Sequence, residues 1–323
     1  MKNQFVGPMG KMMKRYLTLQ RSLGPVLRSA EFILDAFDRY LSVHFPKIKQ
    51  ITRNVVMDYL ATTAHLHSTT RRNYLARIRQ FCHFLFHLNP KTYIPEKNLI
   101  PPGKIKVHPH IYSEEELQNI LRLTRQLGPP QSLRPHTFTT IFSLLWVSGM
   151  RIGEALNLNL EDVNLETGVI RIRNAKFLKS RFIPLSSSST MALQRYRVQR
   201  ALYGHSDHSS SPFFINQRGK RCNCRVIQHG FWNIVQQLGI KNAQGKRPRI
   251  HDFRHSFATG WLNEFYKSGK DPTAYLSILA TYLGHTHVSN TQTYLHASIE
   301  LLQTAGRKFN DHIHKLPTQR NLL

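Results

Sequence analysis

The sequence predicts a mainly α-helical protein of two domains with one small antiparallel β-sheet. Three observations support this. Apolar residues recur at three- and four-residue spacing through most of the chain, and a single stretch alternates apolar with basic residues instead. A proline-rich break interrupts the pattern, and 323 residues exceed the size at which one hydrophobic core stops growing. Hydrophobic residues make up 41% of the chain, enough to exclude wholesale disorder.

Taken in order, residues 1–30 hold six Lys or Arg and no acid, and residues 1–27 read as a basic arm. From Glu31, the positions Ile33, Phe37, Tyr40 and Leu41 keep helical spacing. Ser68, Thr69 and Thr70 are candidate caps for a second helix, which buries Tyr74, Leu75, Ile78, Phe81, Cys82 and Leu85. Arg71, Arg72, Arg77 and Arg79 crowd that helix and form either an ordinary solvated face or a phosphate-tracking one. Pro101, Pro102, Gly103 and Pro109 then mark a linker over residues 96–109, separating a domain at 28–95 from a second beginning at 110. Ser113 followed by Glu114, Glu115 and Glu116 starts a helix. Phe138 to Val147 is a buried helix, Ser148-Gly149 ends it, and Ile152, Ala155 and Leu156 begin a short one. Val169–Arg173 and Arg181–Leu185 form a hairpin with a basic tip, and Ser186–Ser189 and His205–Ser211 read as polar loops. The remainder is helical.

Composition narrows the partners. The net charge of +27 calls for a polyanion, and nucleic acid is the obvious one. Cys82, Cys222 and Cys224 are too few and too odd in number for a secreted disulfide framework. No signal-peptide core follows the basic N-terminus, and Ile141–Val147 falls well short of the ~20 residues that span a bilayer. The expectation is a cytoplasmic protein with no membrane association. Cys222-x-Cys224 with His229 lacks zinc spacing and sits among Arg218, Lys220, Arg221 and Arg225, so it reads as a DNA-facing loop and no metal is expected.

Several residues stand out chemically. Arg254, in His251-Asp252-Phe253-Arg254-His255, lies within the apolar arc of Phe253, Phe257, Ala258, Trp261, Leu262 and Phe265. A guanidinium pointing inward needs an anion, either a structural carboxylate or a phosphate brought in by substrate. Arg151 opens a helix, where its charge opposes the dipole, so it needs another reason to be there. Leu283-Gly284-His285 is followed nine residues later by Tyr294, one of twelve tyrosines.

In order and context, Arg151 within Ser-Gly-Met-Arg-Ile-Gly-Glu-Ala-Leu, Lys176, His251-x-x-Arg254, Gly284-His285 and Tyr294 resemble the tyrosine recombinase (phage integrase) family. The resemblance covers residues 110–306 as catalytic domain and 28–95 as a helical, SAM-like core-binding domain, with 307–323 a C-terminal tail. It implies a clamp around double-stranded DNA. Tyr294 would attack the scissile phosphate to form a 3′-phosphotyrosyl link, Arg151 and Arg254 would hold the non-bridging oxygens, and Lys176 would protonate the leaving 5′-oxygen. His251 would assist proton transfer and His285 would donate to the phosphate. Arg71, Arg72, Arg77 and Arg79 would contact DNA. Such a set needs no metal, and with no Gly-x-x-x-x-Gly-Lys loop and the phosphodiester energy conserved, no cofactor is expected.

The resemblance also implies a homotetramer on two DNA sites that is a monomer or weak dimer off DNA, a bacterial nucleoid-associated location, and accessory recombinases encoded by the same element. Leu301, Leu302, Ala305, Phe309 and Ile313 would form a helix docking onto a neighbouring protomer. Tyr275–Leu302 looks closer to transposon-borne integrases than to chromosome-dimer resolvases, which points to mobile-element integration, excision or transposition. Two departures from the pattern are an apparent insertion at Tyr266–Pro272 and a second hairpin lysine, Lys179. A DNA-binding protein without activity, or a nicking-and-resealing topoisomerase, are the rival readings.

Overall fold

The computed structural model describes residues 5–23, 28–103, 108–129, 131–173, 180–285 and 291. The chain divides into two compact units, Met1–Lys106 and Val107–Leu323.

The first unit is helical. Its helices are α1 (Gly10–Ser22), α2 (Arg28–His44), α3 (Arg53–Thr62) and α4 (Ser68–Phe86). Helix α1 lies inside the span expected to be a basic arm, and it is folded. Met9, Met13, Tyr16 and Leu17 fall on one face and join the core of α2, α3 and α4. The Tyr16 ring lies 5.7 Å from that of Phe81. The Gly7 amide donates to the Asp38 carboxylate at 2.7 Å, tying the chain's start to α2. Burial raises the Asp38 pKa even though amides of Gly7 and Met9 bond it. The lysines between the apolar positions hide this helix from a reading based on charge. The cap of α4 also differs from expectation: His67 holds that position, its ring nitrogen accepting from the Thr69 amide at 3.3 Å.

The second unit contains α5 (Glu114–Thr124), α6 (Leu133–Ser148), α7 (Ile152–Asn157), β1 (Val163–Asn164), β2 (Val169–Ile172), β3 (Arg181–Pro184), α8 (Ser187–Leu202), α9 (Cys224–Gln237), α10 (Asp252–Lys267) and α11 (Leu276–Leu283). Ser113 and Glu116 form the expected capping box on α5, each bond being 3.0 Å. Gly149, at φ +58°, ends α6 as expected. The sheet is antiparallel in the order β1-β2-β3, with Ile172 opposite Arg181 across the hairpin. Its inner face buries Ile170, Ile172 and Ile183 against the core. The serine run read as a loop instead starts α8, with the Ser186 hydroxyl accepting the Ser189 amide.

Phe142, Phe231 and Phe253 stack edge-on at the centre of this unit, with ring separations of 5.4 and 5.5 Å from Phe231. Helix α10 is buried on more than its apolar arc. Ser256, Thr259 and Asn263 are also enclosed, so it runs through the middle of the unit. The apparent insertion at 266–272 begins in its last turn, which ends at Lys267, and runs through a short connection into a 3-10 turn at Pro272–Tyr275. Trp261, Phe265 and Tyr275 close over that turn with ring separations of 4.2 and 4.3 Å. No helix among the described residues is long and apolar enough to cross a membrane.

Gly230 on α9 lets the Phe138 ring approach: a Cβ there would lie 2.3 Å from a ring carbon. Gly230→Ala gains about 1 kcal/mol of helix propensity. It also forces an overpacked core, which costs about 1–3 kcal/mol. A net loss of stability is expected in urea unfolding, largely reversed by adding Phe138→Leu. An unchanged midpoint would show that the ring moves freely.

Candidate active site

The carboxyl end of α11 organises the site. The last carbonyls of a helix lack intrahelical donors and carry the negative end of its dipole. Here three consecutive ones accept from three arginines on three different elements. Arg181 of β3 donates from Nε to Tyr282 O at 2.9 Å. Arg254 of α10 donates from Nη2 to Leu283 O at 2.6 Å. Arg151, the N-cap of α7, donates from Nη2 to Gly284 O at 3.4 Å. Gly284 ends the helix at φ +68°, and a Cβ there would meet Arg181 Nη1 at 2.8 Å. His285 follows at once, its amide bonded back to Ala280 O at 2.8 Å.

Arg254 is 1% exposed and also donates from Nη1 to the Gly149 carbonyl at 2.9 Å. It therefore bonds the ends of both α6 and α11, which explains why a guanidinium can lie within an apolar arc. Gly149 sits so close to α10 that a Cβ would lie 2.4 Å from the Phe257 ring. The two helix breaks flanking Arg151 and His285 are thus packed against one another through α10.

Glu154 has no assigned role in the sequence reading, but the structure makes it central. It stands at the N3 position of α7, where a glutamate reaches back to the N-cap amide, and the Arg151 N–H donates to Oε2 at 2.9 Å. Arg151 Nη1 donates to Oε1 at 2.8 Å, and Arg181 donates to Oε1 and Oε2 at 3.0 and 2.8 Å. Burial alone would raise the Glu154 pKa, but Arg181 first and Arg151 second hold it down at about 2. The spacing Arg151-x-x-Glu154 is the signal that could have found it.

The histidines respond to this cationic setting. Burial, reinforced by Arg254, Arg151 and Arg181, lowers the His285 pKa to about 4. Its Nδ1 lies 2.8 Å from the Thr291 hydroxyl. His251 keeps an exposed edge at the start of α10. Desolvation of its inner side, with Arg254 and Arg249, lowers its pKa. His255, 5.3 Å from His251 between ring centres, is lowered to about 4, mainly by burial. Asp252 between them pairs with Arg249 at 2.7 Å and anchors the helix start. Arg151, His251, Arg254 and His285 are therefore brought to one place, while Lys176, Lys179 and Tyr294 lie outside the described residues.

A family model described as the phage integrase family matches residues 111–300, and one described as the phage integrase N-terminal SAM-like domain matches residues 15–89. The chain belongs to the phage integrase family. Its members, the tyrosine recombinases, are DNA strand-exchange enzymes that use a tyrosine nucleophile. A Sinorhizobium fredii protein described as an integrase/recombinase (y4rB) is 34% identical over 91% of this chain and 95% of its own. The tyrosine recombinase XerD of Oceanobacillus iheyensis is 26% identical over 88% and 91%. Among solved structures, the XerH site-specific recombinase bound to a palindromic difH substrate has a TM-score of 0.64 at 22% identity, covering 88% of this chain and 80% of its own. The Tn1549 transposon integrase with transposon right end DNA gives 0.64 at 16%, covering 92% and 98%. Both show the same fold.

Within the SAM-like match, the four α4 arginines do not form a uniform face. Arg71 donates to Leu60 O at 3.3 Å, Arg77 to Gln80 at 3.0 Å, and Arg79 to the Pro95 carbonyl. Arg72 is exposed and lines an open basic shelf with Asn73, Gln80, His83 and Lys97. In the integrase domain, the loop read as DNA-facing turns Arg221 inward, where it donates to Leu156 O at 2.7 Å and Asn159 Oδ1 at 2.6 Å. Cys222 is buried, and no cluster of metal-ligating side chains occurs among the described residues.

The depressed His255 and His285 pKa values have a consequence for stability. An unfolded histidine titrates near 6.5, while these two stay neutral down to about 4 in the fold. Below pH 6.5 the unfolded chain therefore binds protons that the native state does not. The stability is present above that pH and declines as pH falls toward about 4. The urea midpoint should drop between pH 7.5 and 5.5, and His285→Gln should flatten the drop. Parallel slopes for the two proteins would show that His285 is not perturbed.

Proposed function

We propose that this phage integrase family member is a site-specific recombinase of a mobile element, cleaving and rejoining double-stranded DNA with Tyr294 as nucleophile. The observation that supports this reading is the convergence of Arg151, Arg254, His251 and His285 on the carboxyl end of α11, His285 standing nine residues before Tyr294. Phosphodiester transfer needs a nucleophile, positive charge around the pentacoordinate phosphorus, and a proton for the leaving alkoxide. In this reading Tyr294 Oη attacks in line, the P–O5′ bond breaks, and Lys176 supplies the proton to O5′. Arg151 and Arg254 hold the non-bridging oxygens.

The histidines take up separate duties. Both have lowered pKa values, which keep the rings neutral near pH 7. A neutral His251 can accept the tyrosine proton. We assign the Thr291 hydroxyl as donor to His285 Nδ1, which places the proton of that ring on Nε2, where it donates to the phosphate. Attack by a partner strand's 5′-hydroxyl reverses the chemistry and restores the tyrosine, so the phosphodiester energy is conserved and ATP is not required. Exchange between two duplexes calls for four protomers, assembled on DNA from monomers or weak dimers. The exposed basic shelf on α4 supplies phosphate contacts in the SAM-like domain, and the chain works on cytoplasmic DNA.

Tyr294→Phe removes one hydroxyl. Duplex binding should survive, while the covalent protein–DNA adduct on a denaturing gel disappears. An adduct formed by the phenylalanine variant would overturn the nucleophile assignment.

A 5′-thiolate leaves without protonation, so replacing the bridging oxygen by sulfur identifies the acid. Lys176→Ala should lose about 10²–10⁴-fold in cleavage of ordinary DNA and recover on a bridging 5′-phosphorothiolate. Lys179→Ala should show a similar deficit on both substrates. The reverse pattern would move the acid to Lys179.

A further inference from the structure

Arg151 and Glu154 stand three residues apart at the start of α7, one a proposed phosphate ligand and the other a carboxylate. Side by side in a poorly solvated site, they would form a forked pair, since guanidinium and carboxylate match in two parallel bonds. A guanidinium closed on its own helix's glutamate has little left for a phosphate. The structure shows another arrangement. Arg181 donates to both carboxylate oxygens of Glu154, at 3.0 Å to Oε1 and 2.8 Å to Oε2. The Arg151 backbone amide takes a further position on Oε2 at 2.9 Å. The Arg151 side chain reaches only Oε1, through Nη1 at 2.8 Å, and its Nη2 turns to Gly284 O at 3.4 Å. That last bond is the longest that any of the three arginines makes to the end of α11. The Arg151 guanidinium keeps an exposed edge, whereas those of Arg181 and Arg254 are enclosed.

We propose that Arg181 is the positioning residue of this site: by occupying both oxygens of Glu154 it prevents that carboxylate from closing on Arg151 and leaves the Arg151 guanidinium facing the scissile phosphate. The proposal rests on the reading of Arg151 as a phosphate ligand. Arg181 is suited to the task because its Nε bond to Tyr282 O fixes the fork to the end of α11. It also opens β3, five residues after Lys176 in the sequence. Any shift of β3 therefore moves the shield of Glu154.

The test is suppression. Arg181→Ala leaves Glu154 buried with two donors lost, and the carboxylate draws Arg151 into the vacated fork. Displacement of a reacting group by about 1 Å costs roughly 10²-fold. Single-turnover cleavage of a suicide substrate should therefore slow by about that factor, with duplex affinity within about twofold of wild type. Glu154→Gln in the same chain removes the charge that captures Arg151, so the double variant should cleave at least about tenfold faster than Arg181→Ala alone. If Arg181 only ties β3 to α11, the tie remains broken in the double variant. A rate equal to or below that of Arg181→Ala would then overturn the proposal.

Should Arg181→Ala fail to fold, Arg181→Lys supplies the same decision. One ammonium cannot cover both oxygens, so cleavage should slow with affinity retained, and Glu154→Gln should relieve it. Wild-type rates in the lysine variant would overturn the proposal. Arg151→Ala separates the two levels of argument. If it cleaves normally, the phosphate-ligand reading fails. If it is inactive and suppression is absent, only the role of Arg181 fails.

Discussion

A helix that ends in the interior of a protein leaves carbonyl oxygens that must find donors, and the way α11 solves this problem governs the rest of the catalytic unit. Tyr282, Leu283 and Gly284 offer their oxygens in succession, and Arg181, Arg254 and Arg151 each take one. The three guanidiniums come from a strand, a central helix and the cap of a short helix, so the contact draws together parts of the chain more than 100 residues apart. It also concentrates positive charge where a helix dipole is negative, the one place where clustering arginines is electrostatically favourable without many carboxylates. The same arrangement that completes the fold gathers three guanidiniums at one place.

Buried charge is expensive unless it is hydrogen-bonded, and this unit meets the requirement with few acids. The chain has 45 basic and 18 acidic residues. Several acids are used locally to hold backbone and arginines together. Asp162 caps the Asn159 amide at 2.9 Å and pairs with Arg171 and Arg173 on β2 and beyond it. Asp252 holds Arg249, and Glu116 closes a capping box while contacting His110 at 2.9 Å. With the acids committed to the frame, the remaining basic groups are left for solvent or a polyanion. The excess of +27 is therefore a feature of the surface rather than of the core.

The histidines illustrate how position decides protonation. His285 follows the end of α11, which by its dipole alone would favour the charged ring, yet burial and three nearby arginines drive its pKa to about 4. The result is a neutral donor or acceptor inside a strongly cationic pocket. A neutral ring there can donate a hydrogen bond without adding a further full charge.

The sequence by itself determined most of the elements and the order of the candidate site residues. Helical periodicity, the Ser113 capping box, the glycines at 149 and 284 and the alternating hairpin are local signals, because caps, turns and amphipathic faces are set by neighbours within a few residues. The order of Arg151, His251, Arg254 and His285 was likewise legible. Helix α1 was obscured because its lysines dominate its composition, and its four apolar positions acquire meaning only against α2 and α4. The inward turn of Arg221, the bonds of Arg71 and Arg79, and the grip of Arg181 on Glu154 were decided by tertiary structure alone. Each depends on a carbonyl or carboxylate supplied by a distant segment, and a side chain's partner across 27 or 101 residues leaves no trace in spacing. A guanidinium in a sequence announces that an anion or a carbonyl is needed; only the folded chain says which one it meets.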